Sequence, residues 1–246
     1  MIILGCKLDP IDSDQATDAI VRYAREGIGA QVVTLGTEMV VYAQRDEKYR
    51  AVVNASALSL CDTVGLLGVA RSRGAKLRER VAGVELIEHV CARAALEGLP
   101  VYLLGGASGI AERAADALRS RHPGLETAGA HDGYFGDNAS AEVAGAIRGS
   151  GARILFAGMG FPRQELWLSE YLAQTGCGVG IGVGGSFDVI SGNVRRAPDG
   201  WRRAHLEWFY RLVTQPKRWR RQLALPYFVL LVAGENVRNR FARGRT

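Results

Sequence analysis

Small or polar residues follow five apolar runs of strand length, at positions where a ligand site can form. They are Thr34, Gly36 and Thr37, then Asp62, Gly105, Gly158, and Gly184 with Gly185. Glycine lets backbone N–H groups approach a ligand closely, and parallel sheets bind ligands at the carboxyl ends of their strands. Each residue alone also fits a turn or a helix cap, but the whole set predicts a cleft.

A glycine-rich run at residues 178–192 leads directly into arginines and aromatics at residues 193–211. Guanidinium groups bind phosphates in a bidentate manner, so the junction suggests a phosphorylated substrate without identifying it. Residues 195–246 carry a net charge of +10, whereas the rest of the chain carries −4. Such a basic tail is attracted to nucleic acid, anionic lipid or substrate phosphates.

Several functional classes are disfavoured by what the sequence lacks. It has no P-loop motif, and the glycines at 158 and 160 lack the third glycine and the acidic residue of a nicotinamide-nucleotide site. The four cysteines are scattered without metal-ligand spacing, so we expect a reduced cytosolic protein without metal or cofactor. The apolar run at residues 223–233 falls short of the roughly 20 residues of a membrane span.

The elements that would position these residues alternate between strands and helices as far as about residue 195. Strand-length apolar runs begin at residues 2–4 and end at 177–183, and helical periodicity marks most segments between them, including residues 37–56. The alternation predicts an α/β fold, with a Rossmann-like, largely parallel sheet and helices on both faces. We expect a catalytic domain at 1–195 and a basic, mostly helical appendage at 196–246.

Many ordered segments of the chain resemble one family of enzymes. Among them are LGCKLDPID at 4–12, LSLCDTVG at 58–65, ERVAGVE at 79–85, GMGFPRQE at 158–165, GGSFDVISG at 184–192 and QPKRWRR at 215–221. Together they resemble the WecG/TagA/CpsF family of bacterial glycosyltransferases, glycosyltransferase family 26, over essentially the whole chain.

The resemblance implies an inverting, metal-independent enzyme that moves a sugar from a UDP-sugar to a polyprenyl-diphosphate-linked acceptor in bacterial cell-surface polysaccharide synthesis. The family aspartate falls on Asp62, the expected base for the acceptor hydroxyl. The family arginine and glutamine fall on Arg80 and Gln164, which are expected to orient sugar or phosphate, and the family threonine falls on Thr34. Relatives use N-acetylmannosamine, its uronic acid or glucose, and the sequence does not choose among them.

Two positions depart from the family pattern beside these residues. Gly36 stands where the family usually has asparagine, and Thr63 stands where it usually has glycine after the aspartate. The missing amide removes a donor and an acceptor for a sugar hydroxyl, although Thr37 offers a hydroxyl nearby. Threonine is also poorly suited to the positive φ that glycine adopts. A catalytically weakened scaffold protein of a polysaccharide assembly complex is therefore one alternative.

The basic tail is expected to dock on an anionic membrane surface, because its aromatic and basic side chains accompany an apolar stretch. Arg211, Arg218 and Arg221 are expected to neutralise the UDP diphosphate in place of a metal. The protein would then act as a peripheral protein on the inner face of the cell membrane, with a homo-oligomer left open. We expect no nucleic-acid partner, although the basic tail makes a nucleic-acid-binding protein the second alternative.

Overall fold

The computed structural model describes residues 1–198, 200–201, 209–210 and 224–243. The strands in this part of the chain are β1 (Ile2–Ile3), β2 (Cys6–Lys7), β3 (Ala30–Leu35), β4 (Leu58–Cys61), β5 (Val101–Gly105), β6 (Thr127–His131), β7 (Ile154–Gly158) and β8 (Val179–Gly182). Six of them form one sheet in the order β4-β3-β8-β7-β5-β6, in which all neighbours are parallel. The predicted α/β fold is confirmed.

Helices cover both faces of this sheet, as predicted. They are α1 (Ser13–Glu26), α2 (Thr37–Ala43), α3 (Glu47–Ala55), α4 (Val64–Ser72), α5 (Gly83–Glu97), α6 (Ile110–Arg121), α7 (Ser140–Ser150), α8 (Arg163–Thr175), α9 (Ser186–Ile190) and α10 (Ala224–Arg243). Neighbouring strand residues point to opposite faces, so Val32 packs in a core with α1 and α5, whereas Val33 packs in a core with α2 and α4. Because both faces are buried, the strands are apolar almost throughout.

The strand order reverses between the neighbouring strands β5 and β7. After β5 the chain continues outward to β6, and after β7 it continues inward to β8. Gly105 of β5 pairs with Gly158 of β7, and the Gly106 N–H donates to the Gly158 carbonyl at 3.1 Å. Open α/β sheets bind ligands outside the carboxyl ends of their strands at such a reversal. The topology therefore selects the same sheet edge as the sequence.

The structure differs from the sequence-based prediction in several elements, among them α9, which was not predicted. Residues 37–56 form two helices instead of one, because Asp46 accepts the Tyr49 N–H at 2.9 Å and begins α3. The first strand, β1, pairs with β2 in a separate antiparallel hairpin and does not join the large sheet. Helix α4 lies where no helix was predicted, because Gly65 and Gly68 weaken its helical pattern.

Helix α10 packs against α2, on the side of the sheet that carries α4. Phe228 and Val232 of α10 are buried in the same core as the apolar side chains of α2 and α4. An ion pair between Arg73 and Glu235 holds the middle of α10 beside the end of α4. Of the helices in the described part of the chain, none combines the length and apolar character of a membrane span.

Candidate active site

The structure brings most of the predicted site residues to the carboxyl edge of the sheet. In the parallel register, Leu35 of β3 pairs with Cys61 of β4, and Val33 of β3 pairs with Gly182 of β8. The segments that follow these strands therefore open on one edge: Gly36 and Thr37 after β3, Asp62 after β4, and Gly184 with Gly185 after β8. The paired ends of β5 and β7 extend the same edge.

Asp62 and Arg80 form an ion pair at the β4 end of this edge. The Arg80 Nη1 lies 3.8 Å from Asp62 Oδ1 and donates to the Asp62 carbonyl oxygen at 3.3 Å. The loop that carries Arg80 is anchored by the Val81 N–H, which donates to the Cys61 carbonyl at 2.7 Å. Thr63, not Asp62, is the N-cap residue of α4. The guanidinium thus lies within ion-pair distance of a carboxylate, a group that can accept a proton when it is ionised.

Thr34 and Thr37 are both buried, and they face different neighbours. The Thr34 hydroxyl donates to the Gly182 carbonyl at 2.7 Å, so it cross-links β3 to β8 at the edge. Thr37 begins α2 and faces α4, where a Cβ added at Gly65 would lie 2.8 Å from the Thr37 Cγ2 and 3.2 Å from a methyl of Leu225. The start of α10 therefore lies beside Thr37, next to the predicted sugar-binding residues.

The two departures from the family pattern, Gly36 and Thr63, are neighbours in space. Both have extended backbones, with φ −103° at Gly36 and φ −118° at Thr63. Threonine adopts such a φ without strain, so the expectation that position 63 requires a positive φ is wrong. A Cβ added at Gly36 would lie 3.5 Å from the Thr63 Cγ2, an ordinary contact. The fold therefore accommodates both departures.

Gly105 and Gly158 allow the backbones of β5 and β7 to approach closely at the strand reversal. A Cβ at Gly105 would overlap the Gly158 carbonyl, and one at Gly158 would lie 2.8 Å from the ring of Phe187. Gly184 has φ +54° and begins the loop before α9, and Gly185 is the N-cap residue of α9. These glycines have packing and backbone roles that shape the edge.

Gln164 links the loops after β7 and β8. Its side-chain oxygen accepts the Gly160 N–H at 3.1 Å and the Gly184 N–H at 3.0 Å, and its amide nitrogen donates to Glu165 Oε1 at 2.6 Å. The residue is buried at the first turn of α8. Its side-chain amide thus holds two loops of the edge together.

Glu165 is a buried carboxyl group that the sequence-based reasoning did not assign to the site. It is 0% exposed, and burial raises its pKa to about 7, against an ordinary value of 4.5. The signal was present in the sequence, because Glu165 has the spacing of the buried apolar stripe of α8 with Leu168 and Leu172, at i+3 and i+7. A charged residue in such a stripe is seldom fully buried unless it has partners.

The predicted phosphate-binding arginines Arg211, Arg218 and Arg221 lie outside the described residues. Within residues 1–198 and the other described segments, no three His, Cys, Asp or Glu side chains come together as a group that could hold a metal ion. At the β4 end of this edge, the structure places the charged groups of Asp62 and Arg80.

A parallel sheet whose strand ends gather a carboxylate, a guanidinium and tightly packed glycine loops defines an α/β protein with a candidate ligand site at the carboxyl edge. The chain belongs to the Glycosyl transferase WecG/TagA/CpsF family, whose model matches residues 1–242. The predicted family is confirmed.

Two relatives from Bacillus carry the same name, N-acetylglucosaminyldiphosphoundecaprenol N-acetyl-beta-D-mannosaminyltransferase. The one from Bacillus spizizenii strain W23 is 37% identical over 210 residues, which cover 85% of this chain and 81% of the relative. The one from Bacillus subtilis strain 168 is 34% identical over 213 residues, which cover 87% of this chain and 82% of the relative.

Proposed function

We propose that the chain transfers an N-acetylmannosamine-type sugar from a UDP-sugar to a polyprenyl-diphosphate-linked N-acetylglucosamine acceptor, with inversion and without a metal ion. The names of the two Bacillus relatives support the acceptor and the N-acetylmannosamine-type sugar over the uronic acid and glucose. The observation that carries the proposal is the Asp62–Arg80 pair at the ligand-binding edge of a glycosyltransferase fold.

In the proposed reaction, Asp62 accepts the proton of the acceptor hydroxyl while the hydroxyl oxygen attacks the anomeric carbon of the donor. The new C–O bond forms as the bond to the UDP oxygen breaks, and UDP leaves with the electron pair from the opposite face, which inverts the anomeric configuration. Arg80 lies beside Asp62 and adds positive charge where the leaving group becomes negative. Arg211, Arg218 and Arg221 of the tail are proposed to complete the neutralisation of the diphosphate.

Asp62→Asn tests the base directly, because the amide keeps the size of the side chain but cannot accept the proton. We expect transfer from UDP-N-acetylmannosamine to a lipid-linked N-acetylglucosamine acceptor to fall about 10³-fold. Binding of UDP, measured by calorimetry, should stay within about threefold of the wild type. Asp116→Asn, on the exposed surface of α6, is the matched control and should retain full activity.

Three results would contradict this proposal. Wild-type turnover by Asp62→Asn would show that Asp62 is not the base. Wild-type protein that binds UDP but transfers no sugar would favour the scaffold alternative, and binding of any polyanion without UDP binding would favour the nucleic-acid-binding alternative.

We also propose that α10 helps the chain dock on the inner face of the cell membrane as a peripheral protein. One side of α10 is buried on α2, while Tyr227, Val229 and Leu230 stay exposed on its other side. The exposed fraction of Leu230 is 68% and that of the adjoining Val229 is 57%, so two neighbouring apolar side chains are exposed together. Exposed apolar groups beside basic ones are suited to the lipid headgroup region.

Leu230→Glu tests this membrane contact without disturbing the buried side of α10. We expect binding to vesicles that contain anionic lipid to weaken about tenfold, because a charge replaces an apolar group at the surface. Leu96→Glu, which changes a leucine that is 83% exposed on α5, is the matched control. Equal vesicle binding by both variants would reject α10 as a membrane contact.

A further inference from the structure

The buried carboxyl group of Glu165 sits directly behind the loops of the candidate site. Its Oε1 accepts from the Gln164 amide at 2.6 Å, and its Oε2 accepts from the Tyr49 hydroxyl at 3.4 Å. Tyr49 of α3 is itself fully buried. Both side chains that donate to the carboxyl are neutral, so its burial is costly, and the raised pKa of Glu165 reflects that cost.

The orientation of the Gln164 amide is dictated by its partners. Two backbone N–H groups, those of Gly160 and Gly184, approach one end of the amide, so that end must be the oxygen. The other end must then be the nitrogen, which needs an acceptor, and Glu165 supplies it. A side chain without an acceptor at this point would leave a buried N–H group unsatisfied.

The surrounding backbone leaves room for this pair and for little else. A Cβ added at Gly182 of β8 would lie 2.8 Å from Gln164 Nε2 and 3.0 Å from Glu165 Oε1. The Gly182 carbonyl, in turn, accepts the Thr34 hydroxyl at 2.7 Å. The buried pair is thus packed against the end of β8, which leads into the Gly184 loop.

We propose that Glu165 is a positioning residue of the donor site, which fixes the orientation of the Gln164 amide and thereby the spacing of the Gly160 and Gly184 loops. Glu165 contacts no substrate in this assignment; it acts through Gln164. The assignment deepens the proposed function and rests on it for the identity of the ligand, but the loop geometry that it explains does not depend on that identity.

The first experiment measures the loops without any ligand. Hydrogen exchange of the Gly160 and Gly184 amides is compared in the wild type, Glu165→Gln and Glu165→Leu. Glutamine keeps an acceptor for Gln164, so exchange should stay within about threefold of the wild type. Leucine removes the acceptor, so both amides should exchange at least about tenfold faster than in the wild type. Unchanged exchange in Glu165→Leu overturns the proposal.

The second experiment asks whether Glu165 acts through Gln164. We expect Glu165→Leu to weaken UDP binding about tenfold, and Gln164→Ala to weaken it at least as much. The double variant should be no worse than Gln164→Ala alone, because both changes break the same link. Additive losses overturn the proposal, since they would mean that Glu165 has an independent role.

Controls separate a positioning role from a loss of folding and from a failure of the proposed function. Glu170→Gln changes an exposed glutamate on the same helix and should leave exchange and UDP binding unchanged. Thermal unfolding of Glu165→Leu should stay cooperative, because leucine fills a similar volume, although the unsatisfied Gln164 N–H should lower the melting temperature. If the wild type fails to bind UDP, the proposed donor is wrong, and the exchange of Gly160 and Gly184 still decides the role of Glu165.

Discussion

The two halves of the candidate site are built from opposite kinds of interaction. At the β4 end, Asp62 and Arg80 are partly exposed and meet as an ion pair on loops. At the β7 and β8 end, Gln164 and Glu165 are buried and hold the loops together by hydrogen bonds. A group that exchanges a proton with a substrate must remain accessible, whereas a group that fixes loop geometry is most effective when buried.

The comparison predicts that changes at the β4 end reduce turnover and leave stability unchanged. Arg80→Met should lower kcat about 100-fold, because it removes the cation beside Asp62 and the developing phosphate charge. Arg80→Lys should recover part of that loss, because lysine keeps the positive charge but lacks the planar guanidinium group of arginine. The melting temperature should change little, since the pair is partly exposed. A large loss of stability in Arg80→Met would break the distinction between the two halves.

Changes at the buried end should instead appear in the stability of the protein and its dependence on pH. The pKa of Glu165 is raised to about 7 in the folded chain, against an ordinary value of 4.5, so the folded state holds the extra proton between these values. Stability should therefore fall as the pH rises from about 4.5 to 7, by up to about 3 kcal/mol, and stay lower above that range.

Urea unfolding of the wild type and of Glu165→Gln across this pH range measures the effect, because the variant lacks the titrating group. Neighbouring Cys6 and Tyr49 do not titrate there, since burial raises the pKa of Cys6 to about 11 and that of Tyr49 well above its usual range. Parallel pH curves for the two proteins would show that Glu165 is not titrating in the folded state.

The smallest expected effect is that of a substitution at Gly182, where the buried pair of Gln164 and Glu165 packs against β8. Gly182→Ala places a methyl group 2.8 Å from Gln164 Nε2, so the free energy of unfolding should fall by about 1–3 kcal/mol and UDP binding should weaken. Gly68→Ala in α4, where no atom lies within 4 Å of the added Cβ, is the control and should stabilise the protein slightly. Equal free energies of unfolding for the two variants would mean that Gln164 and Glu165 can shift to make room for the added methyl group.

Much of the fold could be predicted from the sequence, because its signals are local. Strand-length apolar runs and helical periodicity predicted the alternating elements and the parallel sheet, and ordered motifs predicted the family. The division between α2 and α3 was missed because Asp46, which caps α3, is a weak signal within the helical periodicity of residues 37–56. Pairing of β1 with β2 is a non-local choice that apolar composition does not decide.

The candidate site was only partly predictable for the same reason. The strand-end rule brought Asp62, Gly36 and Thr37 to one edge, but it did not reveal that Gln164 binds two glycine loops. Glu165 was missed, because a carboxyl group is ordinarily placed in water unless three-dimensional partners explain its burial. The expectation of a positive φ at position 63 was wrong, because the backbone is extended at the N-cap residue of α4.

The sequence by itself determined the family, the α/β class and the candidate base, because all three depend on residue identity and local order. The tertiary structure alone decided which of these residues contact one another. It paired Asp62 with Arg80 across 18 residues of chain, placed Glu165 beside Tyr49, and placed the first residues of α10 beside Thr37. Such contacts join residues that are distant in sequence, and only the packing of the sheet and its helices brings their side chains together.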